Sequence, residues 1–140
     1  MKKILSTIAI LFCIISAYSQ GIDKPRYIIE THRAGVYLGT FEIELFPLIA
    51  PLATNNFDSL VNVQFYDSTA FHRVVPGFVI QGGDPNSING PKSTWGQGNP
   101  NQPNVNAEFS VVQHLRGRLG AARDTGANSA NSQFYICVAP

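Results

Sequence analysis

One arginine lies inside an otherwise apolar stretch of this 140-residue sequence. Residues 71–85 read FHRVVPGFVIQGGDP, and the alternation of an extended strand places Arg73 in phase with Phe71 and Val75. A guanidinium held in a dry pocket is a fixed cation that can stabilise electron density developing on a bound molecule. The alternative is an arginine that lays its stem along apolar surface and leaves its head in water.

Aromatic rings and amides are the other groups that could act together with this arginine. Phe78 and Gln81 follow it in the same stretch, and Gln133 and Tyr135 stand close together in a second strand-like segment. These side chains supply apolar walls and hydrogen bonds, but they include no acid, base or nucleophile. Hydrolysis is therefore not indicated by this set of residues.

The histidines and glycines do not follow a ligand-binding pattern. His32, His72 and His114 are scattered singly, without the spacing of metal ligands. Asp124 has no obvious carboxylate partner for acid–base chemistry. The glycine pair at residues 82–83 is not followed by the Lys-Ser/Thr of a phosphate-binding loop, so a turn is the simpler interpretation. We expect no metal and no cofactor.

The composition is that of a single packed domain. The chain is 44% hydrophobic and 14% charged, which is ordinary for a globular protein of this length. Its formal net charge of +1 provides no basic surplus for wrapping nucleic acid or for adhering to an anionic membrane. We therefore expect no nucleic-acid partner.

The N-terminus has the features of an export signal. A basic start, Lys2 and Lys3, precedes a mostly apolar run over residues 4–15 and then small residues near the expected cleavage site. A membrane anchor is the alternative, but a spanning helix needs about 20 apolar residues and this run is shorter. We expect residues 1–19 to be a cleaved signal peptide. The domain of residues 20–140 is then periplasmic or secreted, with no membrane association after cleavage.

Cleavage would leave a single cysteine in the mature chain. Cys13 lies in the leader, so Cys137 stands alone and cannot form an internal disulfide. We expect Cys137 to be a small buried apolar residue. Within residues 132–138, strand alternation places it on the same face as Gln133 and Tyr135.

Short apolar runs between turns predict a chain made mainly of strands. Phe41, Ile43 and Leu45 alternate with glutamates, which is the period of a half-buried strand in a hairpin that turns at residues 33–35. From Pro51 the period becomes helical. The other predicted elements are a helix over residues 51–66, strands over 71–81, 117–123 and 132–138, and a surface loop over 84–106. This pattern favours a β-rich barrel or sandwich.

Two separate segments resemble the signature of one protein family. Residues 71–85 and residues 128–136, NSANSQFYI, are similar to the signature segments of the cyclophilins, the peptidyl-prolyl cis–trans isomerases. The resemblance extends over residues 27–140. It implies a mainly β fold, a cyclophilin-like antiparallel β-barrel with a capping helix. The closing strands and second helix of the family are missing from this chain, so we expect residues 20–140 to be an incomplete domain, a fragment of a longer coding sequence.

The resemblance also implies a reaction. An X–Pro amide rotates over a barrier of about 18–20 kcal/mol, and no bond needs to be broken. Twisting the amide returns a lone pair to the proline nitrogen, and a guanidinium beside that nitrogen stabilises the twisted form more than the planar form. Arg73 matches the catalytic arginine of the family. The positions that match its substrate-binding residues are His72, Phe78, Val79, Gln81, Arg123, Asp124, Gln133 and Tyr135.

The same resemblance defines the expected partners. They are proline-containing polypeptides, and the enzyme would accelerate the folding of exported proteins as a monomer. Main-chain groups around Arg123 and Asp124 are expected to face the bound peptide. The alternatives are a module or chaperone that binds proline segments without catalysis, and an inactive fragment.

Two features depart from a simple fit to the family. Tyr135 stands where many relatives have phenylalanine, which adds a hydroxyl to the pocket wall. Strand alternation places Phe78 and Gln81 on opposite faces, so both can line one pocket only if the strand ends or bends near Gln81. The glycine pair at residues 82–83 is the predicted place of that bend.

Overall fold

The computed structural model describes residues 24–140 and consists mainly of antiparallel strands. The predicted signal peptide over residues 1–19 lies outside the described residues. The elements are β1 (Arg26–Arg33), β2 (Val36–Glu44), α1 (Pro51–Asn62), β3 (Arg73–Val75), β4 (Val79–Gly82), α2 (Asn86–Asn89), a 3-10 turn (Lys92–Thr94), β5 (Leu119–Ala121) and β6 (Phe134–Cys137). They form a two-stranded sheet, β1–β2, and a four-stranded sheet in the order β3–β4–β6–β5. The mainly β fold class predicted from the sequence is confirmed.

The β1–β2 hairpin follows the alternation of its sequence. Its register pairs Tyr27 with Ile43, and the chain reverses where Ala34 and Gly35 adopt positive φ angles of 49° and 79°. Ile43 is 8% exposed and belongs to the core, as the strand period predicts. Leu45, just past the strand end, is also buried.

Helix α1 begins as predicted and ends earlier than predicted. Pro51 occupies the first turn, where its missing N–H and fixed φ are tolerated. The helix ends at Asn62 instead of continuing to residue 66, and Gln64 takes a left-handed φ of 57° that a helix cannot accommodate. Residues 63–68 therefore form turns, and an irregular segment leads from them into the next strand.

The predicted single strand over residues 71–81 is wrong, because the segment folds as a hairpin. β3 and β4 are antiparallel, and the turn between them closes with a hydrogen bond from the Phe78 N–H to the Val75 carbonyl at 3.1 Å. Gly77 makes this reversal possible through its φ of 72°. β4 ends at Gly82 and Gly83 has a positive φ of 80°, in agreement with the bend predicted at residues 82–83. Phe78 lies in the turn before β4, so the strand alternation that separated it from Gln81 does not apply to it.

The predicted surface loop over residues 84–106 contains a buried organising residue. Asp84 is fully buried, and its carboxylate accepts hydrogen bonds from the backbone N–H groups of Asn86 at 3.0 Å and of Gly96. The Ser87 hydroxyl donates to the Asp84 carbonyl at 2.6 Å. Satisfying a buried carboxylate with backbone donors fixes the path of the loop, which includes α2 and the 3-10 turn.

Aromatic rings join the two sheets and α1 into one core. Phe57 of α1 stacks on Tyr66 at a centroid distance of 4.9 Å and meets Phe134 of β6 edge-on at 5.7 Å. Ile43 and Leu45 complete the buried cluster. Such aromatic pairs stabilise a core beyond the area that they bury. Phe134 is therefore the main contribution of the four-stranded sheet to this core.

Candidate functional site

Arg73, Gln81 and Tyr135 form one row across the four-stranded sheet. Arg73 on β3 is directly opposite Gln81 on β4, Gln81 is opposite Tyr135 on β6, and Tyr135 is opposite Gly120 on β5. Residues directly opposite one another in antiparallel strands project from the same face of the sheet. The β3–β4 hairpin and the sequence-distant strand β6 thus bring the predicted arginine, amide and aromatic ring side by side.

The other face of this sheet belongs to the core. Phe134, Ile136 and Leu119 pack in or against the buried cluster, and they alternate with the residues of the row. Cys137 is 5% exposed and is a free thiol, as predicted, on the same face as Tyr135. The sheet therefore separates a structural face from a face available for binding.

A chain of amide hydrogen bonds orients the arginine. Arg73 Nη1 donates to Gln81 Oε1 at 3.5 Å, and Gln81 Nε2 donates to Gln133 Oε1 at 2.9 Å. Gln133 Nε2 in turn donates to the Gly96 carbonyl at 3.1 Å. The loop organised by Asp84 is thereby connected to the guanidinium through two glutamines. Each amide uses one donor and one acceptor, so their orientations are mutually determined.

Arg73 is exposed to solvent, which differs from the dry pocket expected from the sequence. Its guanidinium carbon lies 5.9 Å from the ring centroid of Phe78, within the range of a cation–π contact. Phe78 itself is 56% exposed. The arginine is therefore positioned by an amide on one side and an aromatic ring on the other, at the edge of a groove.

The groove has a volume of ≈ 640 Å³ and contains most of the predicted site. The predicted residues that line it are Arg73, Phe78, Val79, Gln81, Arg123, Asp124 and Tyr135. The lining residues that sequence analysis missed are Gly77, His114, Ala121, Ala122, Cys137, Ala139 and Pro140. The small and apolar side chains leave space for a ring-sized ligand, while the cation and amide can contact its polar edge.

His72 and Gln133, also predicted as site residues, are outside the groove lining. Gln133 is 9% exposed and acts on the groove through its bond to Gln81. The His72 ring packs against Gly96, where a Cβ would lie 3.4 Å from His72 Cδ2. Neither ring nitrogen of His72 has a hydrogen-bond partner among the described residues, and both are shielded from solvent.

The segment carrying Arg123 and Asp124 is held by its own hydrogen bonds. The Arg123 guanidinium donates to the Asp124 carbonyl at 3.3 Å, and the Asp124 N–H donates to the Ser129 hydroxyl at 2.9 Å. The Asp124 carboxylate accepts from the Thr125 N–H at 2.8 Å. A peptide approaching the main chain here meets groups of Asp124 that already have internal partners.

Tyr135 has a polar partner that the sequence did not indicate. Its hydroxyl lies 2.9 Å from Nδ1 of His114, and the two ring centroids are 5.7 Å apart. Burial raises the pKa of the Tyr135 hydroxyl, an effect that the nearby Arg123 guanidinium opposes. The phenol therefore remains protonated at neutral pH. No sequence spacing connects residues 114 and 135, because their contact depends on how the segment before β5 packs.

A second cavity, of ≈ 740 Å³, lies between the hairpin, α1 and the segment before β5. Its walls include core side chains such as Leu45, Phe57 and Phe134. We assign the candidate site to the smaller groove because it contains the arginine and its orienting amide. In the part of the chain that the structure describes, no group of three or more His, Cys, Asp or Glu is placed to hold a metal ion.

Comparison with known proteins identifies the family. The model of the family described as "Cyclophilin type peptidyl-prolyl cis-trans isomerase/CLD" matches residues 27–140, so the chain belongs to the cyclophilin family. The resemblance seen in the sequence is thereby confirmed. Residues 24–140 contain no helix long and apolar enough to span a membrane.

Bacterial relatives are similar over much of this chain. A probable peptidyl-prolyl cis-trans isomerase of Brucella suis is 42% identical over 102 residues, covering 70% of this chain and 52% of the relative. A peptidyl-prolyl cis-trans isomerase of Acinetobacter baylyi is 41% identical, covering 73% of this chain and 51% of the relative. The chain therefore spans about half the length of these bacterial relatives.

Solved structures support the same fold. A cyclophilin-type peptidyl-prolyl cis-trans isomerase of Cryptosporidium parvum, crystallised in the presence of the dipeptide Ala-Pro, superposes with a TM-score of 0.61 at 30% identity. The match covers 72% of this chain and 63% of that one. A cyclophilin of Hirschia baltica gives a TM-score of 0.57 at 23% identity, which supports the fold alone.

Proposed function

We propose that this protein accelerates the cis–trans isomerisation of X–Pro bonds in polypeptides, with Arg73 as the catalytic residue. The observation that carries the proposal is the row of Arg73, Gln81 and Tyr135 along a groove, in a chain of the cyclophilin family. An arginine held by an amide beside an aromatic wall suits a reaction that redistributes electrons without breaking a bond.

The proposed mechanism is electrostatic stabilisation of a twisted amide. In the planar amide the nitrogen lone pair is delocalised, and rotation about the C–N bond localises it on the proline nitrogen. Arg73 donates a hydrogen bond to that nitrogen only when the amide is twisted, so it lowers the barrier. A charge-assisted hydrogen bond of about 1.5–3 kcal/mol corresponds to roughly a ten- to hundredfold rate increase.

Apolar side chains of the groove hold the proline ring in this proposal. Phe78, Val79 and Tyr135 provide its walls, and Val79 is only 3% exposed. Gln81 positions the guanidinium, and its partner Gln133 fixes the amide in the orientation that accepts from Arg73. The Cryptosporidium relative crystallised in the presence of Ala-Pro supports proline-containing peptides as the ligand class.

Arg123, Asp124 and His72 have supporting roles in the proposal. Arg123 and Asp124 lie at the groove wall, where they contact residues flanking the proline. His72 fills the space beside Gly96, the residue whose carbonyl ends the amide chain from Arg73. In the proposal, His72 stabilises the position of Gly96 and, through it, the orientation of Gln133.

Binding without catalysis is a second candidate function. The observation in its favour is the exposure of Arg73, because water around a guanidinium weakens its interaction with a developing lone pair. Such a module binds proline segments of unfolded chains and leaves the isomerisation rate unchanged.

Export completes the proposal. The basic and apolar pattern of residues 1–19 supports cleavage to a mature domain of residues 20–140 that acts as a monomer on exported proteins in the periplasm or outside the cell. Expression of the full chain in a bacterium, followed by osmotic shock and intact mass measurement, tests this. A mature mass that begins at Gln20 in the released fraction is expected, and an uncleaved chain in the cell pellet contradicts it.

Exchange spectroscopy on a peptide with an Ala–Pro bond tests the isomerase function. The full chain should accelerate cis–trans exchange, and Arg73→Ala should lower kcat/KM by roughly ten- to hundredfold. Arg26→Ala is the matched control, because Arg26 is an exposed arginine that pairs with Glu44 on the hairpin. Equal rates for wild type and Arg73→Ala overturn the mechanism, and peptide binding without acceleration supports the second candidate.

A further inference from the structure

The ring of Tyr135 is held at its hydroxyl end by a groove-lining residue that the isomerase mechanism does not use. We propose that His114 is a positioning residue, which fixes the Tyr135 ring as the wall of the proline groove by hydrogen bonding to its hydroxyl. This inference rests on the proposed function for its effect on proline peptides. It implies that phenylalanine cannot replace Tyr135 without weaker binding.

The segment that carries His114 is tied to the same strand as Tyr135. The Gly117 N–H donates to the Cys137 carbonyl at 2.8 Å, and the Cys137 N–H donates to the Arg118 carbonyl at 2.9 Å. Cys137 is two residues beyond Tyr135, so both ends of the hydroxyl–imidazole contact are anchored to β6. A hydrogen bond between such anchored groups restricts the ring at a small additional loss of conformational entropy.

The opposite strand leaves room for the ring in one orientation. Gly120 is the cross-strand neighbour of Tyr135, and a Cβ at that position would lie 2.5 Å from both Cζ and Oη of the tyrosine. The phenol therefore occupies the space directly over the backbone of β5 that a side chain at position 120 would need. The ring is therefore limited by Gly120 beneath it and by His114 at its hydroxyl end.

The hydroxyl of Tyr135 and Nδ1 of His114 can hydrogen bond in either direction, depending on the tautomer of the imidazole. Burial raises the pKa of Tyr135, so its hydroxyl keeps its proton and can donate to His114 Nδ1 or accept from it. With the hydroxyl engaged in this way, Tyr135 presents its ring to the groove and not its polar end.

The exposure of His114 determines the size of the effect. Because His114 is exposed, water can replace the lost partner when either side chain is changed, and no buried polar group is left unpaired. Changing either side chain then weakens binding only because the Tyr135 ring is less ordered. A single exposed hydrogen bond corresponds to about a two- to tenfold change in an equilibrium constant.

A double-mutant cycle in the full chain tests the inference. The variants are Tyr135→Phe, His114→Phe and their combination, with His114→Asn as the conservative variant whose amide can donate or accept in place of Nδ1. The dissociation constant of an Ala-Pro peptide, measured by NMR titration, should rise about two- to tenfold in each single Phe variant and no further in the double variant. His114→Asn should restore binding close to wild type. kcat should change less than KM, because the ring contacts the ground state and the transition state alike.

The His32 and Tyr37 pair provides a matched control. Its ring centroids are also 5.7 Å apart, but it lies on the β1–β2 hairpin, and the His32 imidazole contacts Glu30. His32→Phe, Tyr37→Phe and their combination should leave the peptide dissociation constant unchanged. Equal losses in both pairs would overturn the inference, because they would indicate a general effect on folding.

A readout in the free protein separates this inference from the proposed function. The ¹³C shift of Tyr135 Cζ reports the hydrogen bond of the hydroxyl, and it should move in His114→Phe and be retained in His114→Asn. Wild-type protein that binds peptide but does not accelerate exchange defeats the isomerase function and leaves this test intact. An unchanged Cζ shift in His114→Phe, or additive losses in the double variant, overturns the positioning role of His114.

Discussion

The β1–β2 hairpin and the four-stranded sheet turn very different faces away from the core. On the hairpin, that face carries ion pairs in water, with Arg26 2.8 Å from Glu44 and 3.3 Å from Glu42. On the four-stranded sheet, the corresponding face carries the amide chain from Arg73 to Gln81 and the groove. Exposed ion pairs contribute little to stability, whereas a row of interlinked side chains can define a binding surface.

Apolar residues show the same difference between the two regions. Ile28 on β1 is 72% exposed, while Val79 on β4 is 3% exposed, although both are aliphatic residues in antiparallel strands. The β-branched side chain favours the strand in each case. Burial is decided by whether a neighbouring strand and loop cover that face, and only the four-stranded sheet has such a cover here.

The largest expected contrast is in folding stability. Phe134→Ala should lower the free energy of unfolding by about 3–5 kcal/mol, because it opens a cavity among Phe57, Tyr66 and Phe71. Ile28→Ala on the hairpin should change it by less than about 0.5 kcal/mol. Urea unfolding followed by fluorescence measures both, and Phe134→Leu provides a milder change if the alanine variant does not fold. Similar losses at both positions would show that the hairpin face is covered in solution.

Next in size is the effect of adding one methyl group beside the groove. Gly120→Ala should lower the free energy of unfolding by about 1–3 kcal/mol and weaken peptide binding, because the new Cβ displaces the Tyr135 ring. Gly126→Ala is the control, since a Cβ there meets only ordinary contacts with Ser129 at 3.6 Å. Urea unfolding and NMR titration give the two quantities. If the two alanines have equal effects, the close packing of Tyr135 over β5 is not significant.

A smaller contrast concerns two glutamates with different partners. Glu108 accepts hydrogen bonds from the Leu52 and Ala53 N–H groups, both at 2.9 Å, and so caps the start of α1. Glu108→Ala should lower the free energy of unfolding by about 1–2 kcal/mol. Glu42→Ala, which removes an exposed ion pair on the hairpin, should cost less than about 0.5 kcal/mol. Thermal unfolding compares the variants, and a larger loss at Glu42 would reverse the ranking of the two regions.

The smallest expected effect is a loss of folding stability at acidic pH that arises from the β1–β2 hairpin. The hydrogen bond from Lys24, assisted by Arg26, holds the pKa of Glu44 below its usual value of 4.5. Because the folded-state pKa is depressed, this stabilisation is present above pH 4.5 and is lost as the pH falls through the lowered pKa. In Glu44→Gln, the urea concentration at the unfolding midpoint should therefore depend less on pH between about pH 5 and pH 2 than it does in the wild type.

Salt and a groove variant control the pH experiment. High salt should reduce the effect in the wild type, because the charges are exposed. Gln81→Asn, on the groove face, removes no titrating group and should keep the wild-type pH dependence. An unchanged profile in Glu44→Gln would mean that the ion pairs of the hairpin contribute nothing to acid stability.

Those strands and helices whose formation depends on neighbouring residues could be predicted from the sequence. The alternation around Ile43 predicted the hairpin, and Pro51 marked the helix start. The strand over residues 71–81 was predicted as continuous because the apolar residues on both sides of Gly77 have the same period. Nothing local shows that this glycine reverses the chain, since its positive φ is stabilised by pairing between β3 and β4.

The sequence by itself determined the family, the mainly β fold and the unusual position of Arg73, because the signature segments and the strand period are local patterns. Tertiary structure alone decided what surrounds the arginine. Gln81 and Gln133, 52 residues apart, meet only through strand pairing, and the contact of His114 with Tyr135 requires a segment 21 residues away to pack beside β6. Hydrogen bonds of this kind depend on distances between strands in the folded chain, and those distances cannot be predicted from the spacing of residues along the sequence.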